Sequence, residues 1–319
     1  MNFIQQAYKG NRDWYLWLLT LFLVFIGWQF IGVIPLALVA FKHSSGFAEF
    51  IKAGEDNFMS LGINSSLFLL LIIISFACGL LMLLIGVKYI HKRSLTSLIT
   101  SRDKIDWNRF VSGFISWGVV AVISIVIGIF LVPENYVWNF RLVPFATLIV
   151  VSFLFLPLQT SFEEVLFRGY LMQGIGALVK NRWFPLIVTS AVFGLLHGAN
   201  PEVEKLGYIS MVFYIGTGLF YGITTLMDEG TELALGLHAV NNIIAAFFVT
   251  TDWTVFQTDA LYIDTSEPSV GWEMFFPVLV LYPLMLAYFS KKYGWKNWIE
   301  KLTGRVQEPI KEYSEIGKK

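Results

Sequence analysis

Cysteine is almost absent: Cys78 stands alone in 319 residues, which excludes an intrachain disulfide and any CxxC metal site. Charge is scarce too. Asp, Glu, Lys and Arg make up 14% of the chain against 56% apolar residues, and mean hydropathy is +0.64. That excludes an ordinary water-soluble globule, in which about a quarter of the residues are charged. A basic surplus is missing as well, since 23 Lys and Arg face 23 Asp and Glu; composition offers no nucleic-acid surface, and none is expected as a partner. Repeats, low-complexity stretches and loops long enough to hold a second domain are also lacking, so residues 1–319 read as a single transmembrane domain.

What the chain does have is long apolar runs, at roughly 16–41, 65–90, 110–132, 143–179, 208–227, 233–250 and 274–290, with a shorter one at 185–198. A helix of about 20 residues crosses a hydrocarbon core ~30 Å thick. The expected fold class is therefore an all-α membrane protein, a bundle of about eight transmembrane helices, with the 143–179 run forming one span plus a continuation or a break at Pro157. The first run is too long for a signal-peptide core and reads as retained. Cytoplasmic loops collect Lys and Arg. With eight spans, one side holds Lys9 and Arg12, the six bases from Lys88 to Arg109, Lys180 and Arg182, and eight in the tail; the other holds Lys42, Lys52, Arg141 and Lys205. Eighteen against four predicts that both termini are cytoplasmic. The misfit is the acidic turn Asp228, Glu229 and Glu232, which falls on the basic side.

Three charges lie inside an apolar run: Glu163, Glu164 and Arg168. An ionisable side chain at the bilayer centre costs at least ~2.5 kcal/mol, so such groups face a bundle interior or a water cavity and are functional candidates. Glu164 and Arg168 are i,i+4, the favourable order for an intrahelical ion pair, which leaves Glu163 the less compensated carboxylate and the candidate general base. A buried ionic lock between helices is the competing reading. Of four histidines, His43 and His91 lie in charged loops and read as solvated, whereas His197 and His238 lie in apolar runs. The turn near Lys180 is short enough to force an antiparallel hairpin, and Glu164 and His197 are sixteen and seventeen residues from it. At 1.5 Å per residue both stand about 25 Å along their helices. His238 and Asn242 share a helix face at i,i+4, with Asn241 as an alternative donor. Gly194/Gly198 and Gly218/Gly222 are GxxxG spacings that suit close helix packing.

These residues resemble the CPBP family of intramembrane peptidases, which includes CAAX prenyl endopeptidases and bacterial Abi or bacteriocin-processing proteins. Its EExxxR, FxxxH and HxxxN signatures are matched in order by Glu163-Glu164 with Arg168, Phe193 with His197, and His238 with Asn242. The likeness covers about residues 143–250. It implies an intramembrane endopeptidase in a bacterial cell membrane that needs no metal or other cofactor. Glu163 and His197 would activate water, His238 and Asn242 would hold the oxyanion, and Glu164 and Arg168 would support the base. The substrate would be a membrane-associated or prenylated protein or peptide, and the lipid bilayer is the other partner.

Two other readings stay open: a membrane immunity or partner-binding protein on the same fold, and a zinc peptidase with Glu163, His197 and His238 as ligands. The sequence does not fix the oligomeric state. In the basic tail, about 291–319, Trp295, Trp298, Ile299 and Leu302 follow a helical period, so 291–306 is expected to form an interfacial helix and the stretch after Pro309 to be mobile.

Overall fold

Apolar periodicity becomes helix almost everywhere in the computed structural model, which describes residues 1–309. The principal helices are α1 (Trp14–His43), α2 (Ser65–Ile90), α3 (Trp107–Leu131), α4 (Leu142–Val179), α5 (Trp183–Ala199), α6 (Tyr208–Asp228), α7 (Glu232–Phe247) and α8 (Met274–Tyr293). Among the described residues six of these are long and apolar enough to cross a membrane, while α5 and α7 are shorter apolar helices. Phe130 at 81%, Leu142 at 70% and Leu154 at 64% exposure point outward. Such a surface suits hydrocarbon and would aggregate in water. The protein is an all-α membrane protein in its core.

Local chemistry sets the helix ends. Asn64 accepts the Leu67 N–H at 3.1 Å to open α2, and Asp106 accepts the Asn108 N–H at 3.0 Å to open α3; each supplies an acceptor for an orphan donor of the first turn. Of the two readings of the 143–179 run, the break at Pro157 does not occur. Helix α4 runs through it, as buried membrane helices can when neighbours support the freed backbone. The irregularity comes just after the two glutamates, where Val165–Leu171 is π-helical.

Helix α7 is the axis of the bundle. Leu233, Ala234, Leu237, Ala239, Val240, Ile243 and Ala246 are all buried, and so are His238 and Asn242 on its polar face, so it is enclosed on nearly every side. Gly113 and Gly236 let α3 and α7 approach backbone to backbone. Three of the four GxxxG glycines pack α5 on α6: Gly194 meets Ile215, Gly218 meets Ser190 and Gly222 meets Leu186, whereas Gly198 faces open space. Gly194 thus faces α6.

Loops gather at two ends. At one, a small sheet departs from the all-helical expectation: β1 (Tyr136–Trp138) pairs antiparallel with β3 (Tyr262–Asp264), which pairs parallel with β2 (Val249–Thr250). Its residues are mostly β-branched and aromatic, the types that favour pleated structure. It ties the α3–α4 loop to the α7–α8 loop, and Asp259 joins them to α2 by accepting from Ser65 at 2.6 Å.

At the other end the acidic turn explains itself. Asp228 pairs with Arg102 at 2.9 Å and with Arg109, Glu232 with Arg102 at 3.1 Å, and Glu229 with Arg182 at 3.2 Å. The acids are counter-ions for the basic loops around them.

The tail corrects its expectation. Helix α8 stops at Gly294, which takes a left-handed φ of 63°, and among the described residues beyond it only Trp298–Thr303 (α9) is helical. Trp295 is buried, and its indole N–H donates to Asp228 at 3.1 Å. Lys301 donates to the Met227 carbonyl at 2.7 Å. Trp295, Trp298 and Leu302 of the stripe therefore pack on the bundle, because the acidic turn offers the indole and Lys301 specific partners, while Ile299 stays exposed. The stretch after Pro309 lies outside the described residues.

His91 is a second correction. It is 0% exposed, with Nδ1 2.8 Å from the Asn11 carbonyl and Nε2 2.8 Å from the Tyr170 hydroxyl. A carbonyl only accepts, so Nδ1 carries the proton and the neutral ring accepts from Tyr170. Burial, helped by the nearby Arg93 guanidinium, pushes its pKa below the usual 6.5, against the pull of the Asn11 hydrogen bond. The unfolded chain then binds the proton more readily, so this contribution is complete above about pH 6.5 and is lost as pH falls from there toward the folded value. Thermal stability in detergent should drop between pH 7.5 and 5.5, and His91→Gln should flatten that drop; parallel curves would show that His91 stays uncharged in both states.

Candidate active site

A cavity of about 500 Å³ opens between α2, α4, α5, α6 and α7. Glu163, His197, His238 and Asn242 all line it. Glu164 and Arg168 do not; both are 0% exposed and sit behind the wall. The arrangement follows from helix geometry. One turn of α4 places Arg168 Nη1 2.9 Å from Glu164 Oε1, while Glu163, one residue away and rotated by about 100°, points into the cavity.

Arg168 is also held from α5 and α6. Its Nη2 donates to the Gly218 carbonyl of α6 at 2.9 Å, and its guanidinium carbon lies 4.4 Å from the Phe193 ring centroid. Cation and ring attract where water is excluded. Phe193 also stands 4.9 Å from the His197 ring and 6.0 Å, edge to face, from the His238 ring. A phenylalanine four residues before His197 is thus the common wall of the three cationic or basic side chains.

Hydrogen bonds fix the imidazoles. His197 Nδ1 lies 2.8 Å from the Phe193 carbonyl, which can only accept, so Nδ1 carries the proton and Nε2 is left with a lone pair. Tyr214 stacks flat on the same ring, with centroids 4.5 Å apart at 21°. His238 Nδ1 donates to Glu164 Oε1 at 2.8 Å, the same oxygen that Arg168 holds. Its Nε2 is 3.5 Å from Glu163 Oε2, and Tyr221 stacks on its face at 5.0 Å. Among the described residues Glu163 Oε2 has no hydrogen-bond donor.

Sequence reasoning missed four side chains here. Gln159 donates to Glu163 Oε1 at 3.3 Å and accepts from Asn242 at 3.4 Å, linking base and amide. Its signal was legible: an amide one helical turn before Glu163 in an apolar run. Tyr214 and Tyr221, the two stacking platforms, gave no signal apart from ordinary aromatics. Glu202 is the fourth; it accepts from the Tyr214 hydroxyl and, at 3.0 Å each, from Asn200 and the Val255 N–H. Asn241, the alternative donor, is engaged elsewhere, since its Oδ1 accepts from Trp117 at 3.0 Å and its amide N–H donates to Asn242 at 3.2 Å.

Comparison with known proteins agrees with this geometry. A family model described as Rce1-like type II CAAX prenyl endopeptidase matches residues 142–244, the stretch that carries all seven motif residues. Over 211 residues the chain is 31% identical to the uncharacterized protein YyaK of Bacillus subtilis strain 168, covering 65% of this chain and 71% of that protein. The chain belongs to the Rce1-like CAAX protease family. No solved structure matches it. As a family member it is an integral membrane protein of a peptidase class whose substrates are membrane-associated proteins.

Proposed function

We propose that this Rce1-like protein is a glutamate-dependent intramembrane endopeptidase. The observation that carries the reading is the one cavity in which a Glu163 oxygen with no hydrogen-bond donor among the described residues, the Nε2 lone pair of His197, and the polar groups of His238 and Asn242 face one space. A water between Glu163 and His197 gives a proton to the carboxylate while its oxygen attacks the peptide carbonyl carbon. The oxyanion that forms is held by Asn242 Nδ2–H and His238 Nε2–H. The C–N bond then breaks, and the proton on Glu163 passes to the leaving amine.

Donation from Nε2 requires His238 to be an imidazolium, because Nδ1 already serves Glu164. Charge balance favours that state. Glu163, Glu164, Arg168 and a protonated His238 sum to zero, and a neutral cluster is the least costly to bury. Glu164 and Arg168 hold the imidazole in place and offset its charge.

The substrate class that fits is a membrane-anchored protein or peptide in a bacterial membrane, prenylated or otherwise. The test is cleavage, in lipid, of a panel of membrane-anchored peptides that includes farnesylated CAAX types, with and without a strong chelator. Cleavage of at least one peptide that chelation leaves intact is expected. Among the described residues no group of three or more His, Cys, Asp and Glu side chains is placed to hold a metal ion. Activity abolished by the chelator and restored by zinc would replace this mechanism with the metal-dependent one.

A further inference from the structure

The cavity has a direction. Its rim is built from Ser65 at the start of α2, Asn200 and Glu202 between α5 and α6, and the loop from Thr251 to Thr258. These belong to the end of the bundle that carries the small sheet. The opposite end is sealed. There the amino-terminal segment, through the Phe3 N–H on Glu229 at 2.6 Å, meets the loop bearing Arg102, the turn bearing Arg182 and the tail bearing Lys301. Asp228 and Trp295 are buried beneath them.

The two ends differ sharply in charge. Among the described residues the segments that converge on the sealed end carry fifteen Lys and Arg, and the loops at the open end carry four. Cytoplasmic loops are the ones enriched in Lys and Arg. The open end is therefore the non-cytoplasmic one.

The lining carries a second message. Its acidic and imidazole side chains are Glu163, Glu202, His197 and His238, and among the described lining residues there is no Lys or Arg. A CAAX motif ends the chain three residues after its modified cysteine, so its free carboxylate would enter this space. His238, the cation of the proposed mechanism, is already offset by Glu163 and Glu164, so no surplus positive charge remains to pair with it, and Glu163 and Glu202 would repel it. An internal segment, whose flanking groups are neutral amides, meets no such penalty.

We propose that the site accepts an internal stretch of an exported or outward-facing membrane-anchored polypeptide, presented from the non-cytoplasmic side. This rests on the peptidase reading for its chemistry but is tested without turnover. In the full chain with Cys78→Ala, a Gln257→Cys variant probes the exposed rim and a Lys104→Cys variant the exposed basic loop. A membrane-impermeant maleimide should label Gln257→Cys in intact cells and Lys104→Cys only after permeabilisation; the reverse pattern overturns the facing. Labelling of Gln257→Cys is then repeated in lipid with an N-myristoylated apolar hexapeptide ending in an amide or in a free carboxylate. The amide should slow labelling at least about tenfold more than the carboxylate at equal concentration. Equal or stronger protection by the carboxylate, or none by either, overturns the internal-segment assignment. Cleavage of the amide by the unsubstituted chain, scored separately, judges the peptidase reading alone.

Discussion

Glu163→Ala and His197→Ala are each expected to abolish peptide cleavage, and the double variant to be little worse than either single. The reason is geometric. Glu163 Oε2 is the carboxylate oxygen on the cavity wall that lacks a hydrogen-bond donor among the described residues, and His197 offers one lone pair beside it, its other nitrogen being fixed on the Phe193 carbonyl. Residues that act on one water form a unit, and losses within a unit do not add. Removal of such a unit costs several orders of magnitude, leaving what the oxyanion donors contribute, on the order of 10² to 10³. Initial rates on any peptide found cleavable, with folding checked by thermal unfolding in detergent, measure this directly. Near-normal turnover in a folded Glu163→Ala protein would sink the water-activation role. A Glu163→Ala loss that is recovered by His197→Ala is not compatible with it either.

The same chemistry shows why part of the site was readable from sequence. Glu163, Glu164 and Arg168 announced themselves because charge in an apolar run has to be explained, and the i,i+4 rule correctly separated the paired carboxylate from the free one. Counting from the Lys180 turn placed His197 level with the glutamates, and both regions do line one cavity. What was not readable depended on contacts between distant segments. His91 is buried because Tyr170, seventy-nine residues away in sequence, reaches its Nε2. Trp295 leaves the expected interfacial stripe because Asp228 accepts its N–H. The roles of Tyr214 and Tyr221 arise only when α6 is laid beside His197 and His238. Hydropathy likewise gave the apolar runs but not the small sheet, whose strands are two or three residues long. Periodicity has no purchase on so short a segment.

Arg168 offers the second large effect, on stability as well as on chemistry. Arg168→Met should leave Glu164 fully buried with only His238 as a partner, and breaking a buried pair by removing one member costs about 3–5 kcal/mol. It would also remove the hydrogen bond to the Gly218 carbonyl that ties α4 to α6 and the cation over Phe193. Low yield and a markedly lower unfolding temperature in detergent are the expected results. Adding Glu164→Gln to Arg168→Met removes the orphaned charge while the new amide oxygen can still accept from His238 Nδ1–H, so most of the stability should return. Turnover should not return with it. With Glu164 neutral and Arg168 gone, the imidazolium of His238 keeps only Glu163 as its counter-ion, and that pairing draws the base away from its water. A stable but weakly active double variant would thus separate the structural part of the buried pair from its part in setting the charge of His238. If Arg168→Met alone were as stable as the parent chain, the pair would not be an anchor of the bundle. Full activity in the double variant would show that His238 needs no counter-charge from behind.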